Sequence, residues 1–213
     1  MCQIEYTEKI ILFMDILGFK KLVKQKLVKE IESILKSIYS FLEHKHLPNY
    51  QMSHFSDSVI LSFELPKDEN MTDLLSILQS LMVCLLFCHD IRIRGGMCKG
   101  TIYHTKEMVF GPGVNEAYTM ESQIAIFPRI IVDKCIVDAF HRWNEKADPK
   151  KGGTKLDDFF ELDFDGNYIF NYLNCSAIET YKETIRERLR GKLNDTEDKK
   201  IKAKLNYMIK KLS

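Results

Sequence analysis

Cysteine pairs of the CxxC type, a basic leader followed by an apolar run, a surplus of either charge, internal repeats and low-complexity tracts are all missing from this 213-residue sequence. Each absence narrows the field. The six cysteines (Cys2, Cys84, Cys88, Cys98, Cys135, Cys175) are scattered, a pattern that suits reduced thiols in the cytoplasm. The opening Met-Cys-Gln-Ile-Glu has no secretory pattern. Lys plus Arg number 31 against 30 Asp plus Glu, a net charge of +1, so no general attraction to nucleic acid or an anionic membrane is expected and any anion site must be local. The longest apolar stretch, Leu74 to Cys88, is interrupted by Ser76, Gln79 and Ser80 and reads as too short to span a bilayer.

What is present is enough apolar material, 45% of residues, for one full core. Lys9 to Ile16 reads as a buried strand that Gly18 turns into an amphipathic helix with apolar positions from Leu22 to Leu42. Tyr50 to Phe55 and Ser58 to Phe63 read as a hairpin with Ser56-Asp57 at its tip. An apolar helix over Leu74 to Phe87 and a strand from Ile91 towards Tyr103 follow. This βαββαβ order predicts an α+β fold, an α/β sandwich with a ferredoxin-like core whose helices cover one face of an antiparallel sheet. Further on, the pattern predicts a helix over Val114 to Gln123, a short strand Arg129 to Val132, a helix Lys134 to Trp143 and a hairpin turning at Asp165-Gly166. We divide the chain into a main domain over 1–175 and a charged helical tail over 176–213, whose sparse apolar stripe is suited either to the body or to a partner helix.

Two aspartates carry the chemistry. Asp15 lies in Ile-Ile-Leu-Phe-Met-Asp-Ile-Leu-Gly-Phe and Asp57 in His-Phe-Ser-Asp-Ser-Val-Ile-Leu, neither with a Lys or Arg beside it. A carboxylate among apolar residues is costly without a counter-charge, so the pair points to divalent metal and thereby to phosphate chemistry. The Gly18-Phe19 turn offers backbone N–H groups at a helix start, a seat for phosphate oxygens, although Gly18 also serves a left-handed turn. Cys84, Cys88 and His89 fall on an apolar helix and read as core rather than zinc ligands.

The first block resembles the Phe-x-Asp-Ile-x-Gly-Phe signature of class III nucleotidyl cyclases, and Phe55-Ser56-Asp57-Ser58 falls where that family carries its second metal-binding Asp. Phe110 to Ser122 is similar to the family's Trp-Gly-x-x-Val-Asn-x-Ala-x-Arg-Met-Glu block. The Phe-Ser-Asp-Ser, Arg-Gly-Gly, Phe-Gly-Pro and Pro-Arg-Ile patterns most resemble the stand-alone pyrimidine cyclases of bacterial Pycsar antiphage systems. The resemblance, over residues 9 to 173, implies that Asp15, Asp57 and the Ile16 carbonyl hold two Mg²⁺ or Mn²⁺, and that Asn115 orients the ribose across a homodimer interface. The implied reaction is attack of the ribose 3′-hydroxyl on the α-phosphate of a nucleoside triphosphate, with loss of pyrophosphate.

The departures from that pattern are equally informative. Thr119 stands where the family places its transition-state Arg, so Arg94 and Arg129 become the candidate replacements, with Lys99 and Lys155 weaker; Lys155 lies near the place of a family phosphate-binding lysine. The purine-selecting Lys and Asp positions are Ser53 and Met108, which matches no purine edge, and Tyr50 offers a hydroxyl and ring face to a smaller base. UTP or CTP is therefore the expected substrate. The alternative is a degenerate cyclase-like domain that binds nucleotide or a partner without turnover. A polymerase or diguanylate cyclase reading lacks a basic groove and a Gly-Gly-Asp/Glu-Glu-Phe tip, respectively.

Overall fold

The computed structural model describes residues 5–44, 50–65, 70–146 and 158–213. Strand β1 (Thr7–Leu17) is the axis of the sheet. It is followed by α1 (Phe19–Lys24), α2 (Val28–His44), β2 (Tyr50–Phe55), β3 (Ser58–Glu64), α3 (Asn70–His89) and β4 (Arg92–His104). The strands run in the order β2-β3-β1-β4, the expected ferredoxin-like arrangement, with β1 antiparallel to both neighbours. The sheet continues through β6 (Ile130–Val132), β8 (Tyr168–Phe170) and β7 (Phe160–Leu162), while β5 (Val109–Phe110) pairs with the end of β4. β6 lies parallel to β4, so the sheet is mixed.

Alternation along β1 explains the layering. Ile10, Leu12, Met14 and Ile16 enter the larger core, with α2, α3 and the later helices, while Ile11 and Phe13 face a smaller one. That second core corrects the expectation of helices on one face only. Helix α4 (Pro112–Thr119) and a π-helical turn (Met120–Ile124) cover the opposite face, against β4. Glycine makes this approach possible. A Cβ on Gly96 would sit 2.3 Å from the Ala117 carbonyl oxygen, and one on Gly113 would sit 2.3 Å from Ile11 Cδ1.

Two boundaries differ from the periodicity. The single long helix expected after Gly18 is two, α1 and α2, broken where Lys26 takes a left-handed φ of 56°. Helix α3 runs longer than expected, and its Thr72–His89 window is long and apolar enough to cross a membrane by length and composition alone. Its Leu74, Leu75, Leu78, Leu81, Met82, Leu85 and Leu86 are buried in the larger core.

Helix α5 (Lys134–Lys146) packs on the same core. So does the tail, for which the sequence left two placements open: α6 (Ser176–Asn194) and α7 (Lys199–Lys211) insert Ile178, Ile185, Leu189, Leu205 and Met208. Asp198 caps α7 by accepting the Lys200 and Ile201 N–H groups at 2.8 and 3.2 Å.

Candidate functional site

The β1–β3 ladder ends by pairing Asp15 with Ser58, directly after the hairpin tip. Ser56 adopts φ 56° in that tip, and the Ile16 N–H donates to the Asp57 carbonyl at 2.8 Å. The two aspartates, distant in sequence, are thus held side by side, with the Ile16 backbone between them. The Ile16 side chain is core.

Asp15 was expected to lack a positive neighbour, and here the strand register corrects the sequence. Arg94 is its partner across β4, and Arg94 Nη2 lies 3.3 Å from Asp15 Oδ2. The same nitrogen lies 2.5 Å from Glu121 Oε1, on the π-helical turn. The compensation is incomplete. Burial raises the pKa of Asp15, Arg94 opposes that rise, and Asp57 adds to it; Glu121 is raised likewise by burial, against the pull of Arg94. Arg94 Nε and Glu121 Oε1 are buried without a well-formed hydrogen bond. Glu121 is 3% exposed, so its charge is screened by protein rather than water.

The other candidate cations divide sharply. Arg129 does not face the aspartates: it is 3% exposed, and its guanidinium is engaged by Asp163 at 2.5 Å, Asp165 at 2.5 Å and the Ile124 carbonyl at 3.0 Å. It also lies over the Phe127 and Phe164 rings. It is a core ion pair. Lys99 pairs with Glu8 at 2.9 Å, and Lys155 lies outside the described residues. Thr119 donates its hydroxyl back to the Asn115 carbonyl at 2.8 Å, one turn earlier on α4. Asn115 and Thr119 are both exposed, on the side of α4 away from the sheet.

Gly18 adopts φ 92° and starts α1, its carbonyl accepting the Lys21 and Leu22 N–H groups. The Phe19 side chain turns into the larger core. The turn therefore positions the chain after Asp15, as the simpler reading of Gly18 requires.

The base-recognition candidates separate by strand parity. Tyr50 packs with Met52 against the larger core, on the opposite face from Asp15 and Ser53, which corrects its assignment to a base. Ser53 is held by His104, which no pattern in the sequence singles out. His104 bonds Ser53 Oγ through Nε2 at 3.0 Å and Ser62 Oγ through Nδ1 at 2.8 Å. Burial, aided by Lys9, lowers the His104 pKa to about 4, so the ring is neutral and links two hydroxyls. A cavity of about 370 Å³ opens here, lined in part by Ser53, Phe55, Ser58, Lys106 and Glu107. Met108 is half exposed beside this cavity without lining it.

Among the described residues no group of three or more His, Cys, Asp or Glu side chains forms a self-sufficient metal cage. Two carboxylates and a carbonyl are nevertheless a hard-oxygen set of the kind Mg²⁺ uses when phosphates and water complete its shell. The residues fit that group. Burial first and Asp57 second raise Asp15, and both are costs of carboxylate charge that a cation would relieve.

No protein-family model and no curated protein sequence matches the chain. Solved structures do. The catalytic core of a rhodopsin-guanylyl cyclase with converted specificity, in complex with ATPαS, superimposes with a TM-score of 0.52 at 14% identity, covering 77% of this chain and 96% of that one. An adenylate/guanylate cyclase/hydrolase from Silicibacter pomeroyi gives 0.52 at 15% identity, covering 78% and 95%. The fold is that of class III cyclases. A monomeric double mutant of the guanylyl cyclase domain from the RhoGC fusion protein of Blastocladiella emersonii gives 0.51 at 16% identity, covering 78% and 93%. At these identities the likeness is one of fold, and the class III cyclase architecture accounts for the α+β sandwich derived above.

Proposed function

We propose that this protein is a pyrimidine nucleotide cyclase, converting UTP or CTP to the 3′,5′-cyclic nucleotide and pyrophosphate as a cytoplasmic homodimer. The observation that carries the reading is the meeting of Asp15 and Asp57 at one ladder end of a class III cyclase fold. Asp15, Asp57 and the Ile16 carbonyl would hold two Mg²⁺ or Mn²⁺ ions. Bound there, such ions acidify a hydroxyl and neutralise phosphate charge. The chain's own residues supply placement, the main part of phosphoryl-transfer catalysis. Arg94, itself held by Glu121, pairs with the Asp15 carboxylate, and Asn115, exposed on α4, is available to the ribose of a substrate bound by a second copy. Exposed Tyr118 and Phe110 on and beside α4 suit such a contact.

Pyrimidine selection is supported by the cavity at Ser53. A hydroxyl oriented by a neutral imidazole offers one donor or acceptor to a small base edge, whereas neither Ser53 nor Met108 supplies a purine-reading charge. The assignment to antiphage signalling rests on the sequence resemblance to Pycsar cyclases.

A second reading, a cyclase-like domain that binds without turnover, is favoured by two specific facts: Arg94 is shared by Asp15 and Glu121, and Thr119 is turned back onto its own helix. The two readings separate on incubation with each of the four nucleoside triphosphates and Mn²⁺, followed by chromatography for cyclic product. Cyclic UMP or CMP that disappears in Asp57→Ala supports the enzyme. Nucleotide binding without product from any triphosphate supports the sensor.

A further inference from the structure

The Ser53 hydroxyl is the open end of a buried hydrogen-bond chain. His104 Nε2 lies 3.0 Å from Ser53 Oγ and His104 Nδ1 lies 2.8 Å from Ser62 Oγ, so one imidazole on β4 joins hydroxyls on β2 and β3. Ser62 is fully buried and His104 is 8% exposed, while Ser53 lines the cavity of about 370 Å³. Neither serine side chain has another hydrogen-bond partner among the described residues.

Burial gives the chain a direction. A hydroxyl has one proton to donate, and leaving that proton unpaired away from water is costly, whereas a spare lone pair is tolerated. Ser62 is shut off from solvent with a single polar neighbour, so its O–H donates to His104 Nδ1. The neutral ring then carries its proton on Nε2 and donates to Ser53 Oγ. With that oxygen already accepting from the ring, the Ser53 proton points into the cavity. The opposite tautomer would strand the Ser62 proton in the interior and turn the Ser53 proton inward.

We propose that Ser62 and His104 fix Ser53 as a hydrogen-bond donor to the base, and that this donor selects uracil over cytosine. The assignment rests on the nucleotide-cyclase reading for its ligand, and it makes UTP rather than CTP the substrate. Ser58, paired with Asp15 on the β1–β3 ladder, lines the same cavity, and Phe55 is its partner on β2. Ser53 stands two residues further from the hairpin tip than Phe55. At about 3.4 Å per residue that is about 7 Å along the strand, which suits the edge of a pyrimidine remote from its ribose. On that edge uracil carries an exocyclic oxygen where cytosine carries an amino group. The Ser53 donor therefore meets an acceptor in uracil and a second donor in cytosine. Neither His104 nor Ser62 lines the cavity, so both are positioning residues that act through Ser53.

Two measurements on the full chain test this. Long-range proton–nitrogen correlation spectra, with the His104 signals identified by their loss in His104→Gln, should show the ring protonated at Nε2 alone; a proton on Nδ1 overturns the proposal. Equilibrium titration with the non-cyclisable α,β-methylene analogues of UTP and CTP, in the presence of Mg²⁺, should give a preference for uracil of about tenfold or more. Ser53→Ala should bring that ratio close to one, and Ser62→Ala should lower it several-fold although Ser62 cannot reach a ligand. His104→Gln, whose amide can accept from Ser62 and donate to Ser53, should keep most of the preference, whereas His104→Leu should lose it. A merely structural role for these residues would lower the melting temperature and weaken both analogues alike. The wild-type spectrum and titration decide the matter should a variant fail to fold. Equal affinity for the two analogues, a preference for cytosine, a ratio that survives Ser53→Ala, or no nucleotide binding by the wild type overturns the assignment. A uracil preference without cyclic product from any triphosphate rejects turnover alone; cyclic UMP formed with the preference unchanged in His104→Leu rejects the role of His104 alone.

Discussion

Among the described residues, one buried charge cluster around Arg129 and another around Arg94 answer the same physical problem in opposite ways. Around Arg129 the carboxylates are driven down. Burial alone would raise Asp163, yet hydrogen bonds from Lys211, Tyr207, Arg129 and the Phe164 N–H bring it to about 2, and the Arg129 hydrogen bonds lower Asp165 as well. Only the Arg129 Nε is left without a partner there. Around Arg94 the carboxylates are driven up, chiefly by burial, which one guanidinium shared by Asp15 and Glu121 only partly offsets and to which Asp57 adds. The first cluster is complete as it stands and fastens α7 to the β7–β8 hairpin. The second is left short of positive charge, the condition expected of a site that awaits a ligand.

The largest effect should come from removing a carboxylate of the open cluster. Asp57→Asn is expected to lower turnover by about 10³-fold while leaving the melting temperature equal to or above that of the wild type, because a repulsive neighbour of Asp15 has gone. A nucleotide-panel assay and a thermal melt on one preparation check both halves. A large drop in melting temperature would mean that the clusters do not differ in kind.

Arg129→Met should do the reverse. Breaking a buried ion pair costs about 3–5 kcal/mol, so the loss should appear in the urea unfolding free energy. If this variant unfolds like the wild type, the complete cluster is not structural.

The smallest effect is the pH dependence that Asp163 contributes in the complete cluster. Asp163 has a folded pKa of about 2 against an ordinary value of 3.8, so it stabilises the fold above the ordinary value, and the contribution is lost as pH falls from about 4 to 2. The loss is about 2 kcal/mol, read as the narrowing gap in urea midpoint between wild type and Asp163→Asn over that range. A gap that is constant across this range would remove Asp163 as its source.

Much of this was legible in sequence because the decisive contacts are strand contacts. Period-two alternation and the Ser56-Asp57 turn place the hairpin, and βαββαβ order brings β1 beside β3, so Asp15 and Asp57 meet without further information. The Arg94–Asp15 pair was missed, although both lie on strands assigned from the pattern, since seeing it requires the β1–β4 register and not only the strand order. Glu121 stands within a motif read from the sequence, but its burial depends on a π-helical turn that periodicity does not announce. The Arg129 error has the same origin: Pro128-Arg129 gives no sign of Asp163 and Asp165 closing over it. Tyr50 failed through parity, one face against the other.

The bare seam where α4 lies on β4 has a consequence for how such a protein can change over time. With Gly96 of β4 against the Ala117 carbonyl and Gly113 of α4 against Ile11 and Gly100, neither glycine has room for a methyl group. Variation at those two glycines is closed off, and the helix is freer to drift in sequence along its outward side, where Asn115 and Thr119 stand. New specificities would therefore be written on a surface whose backing is held constant.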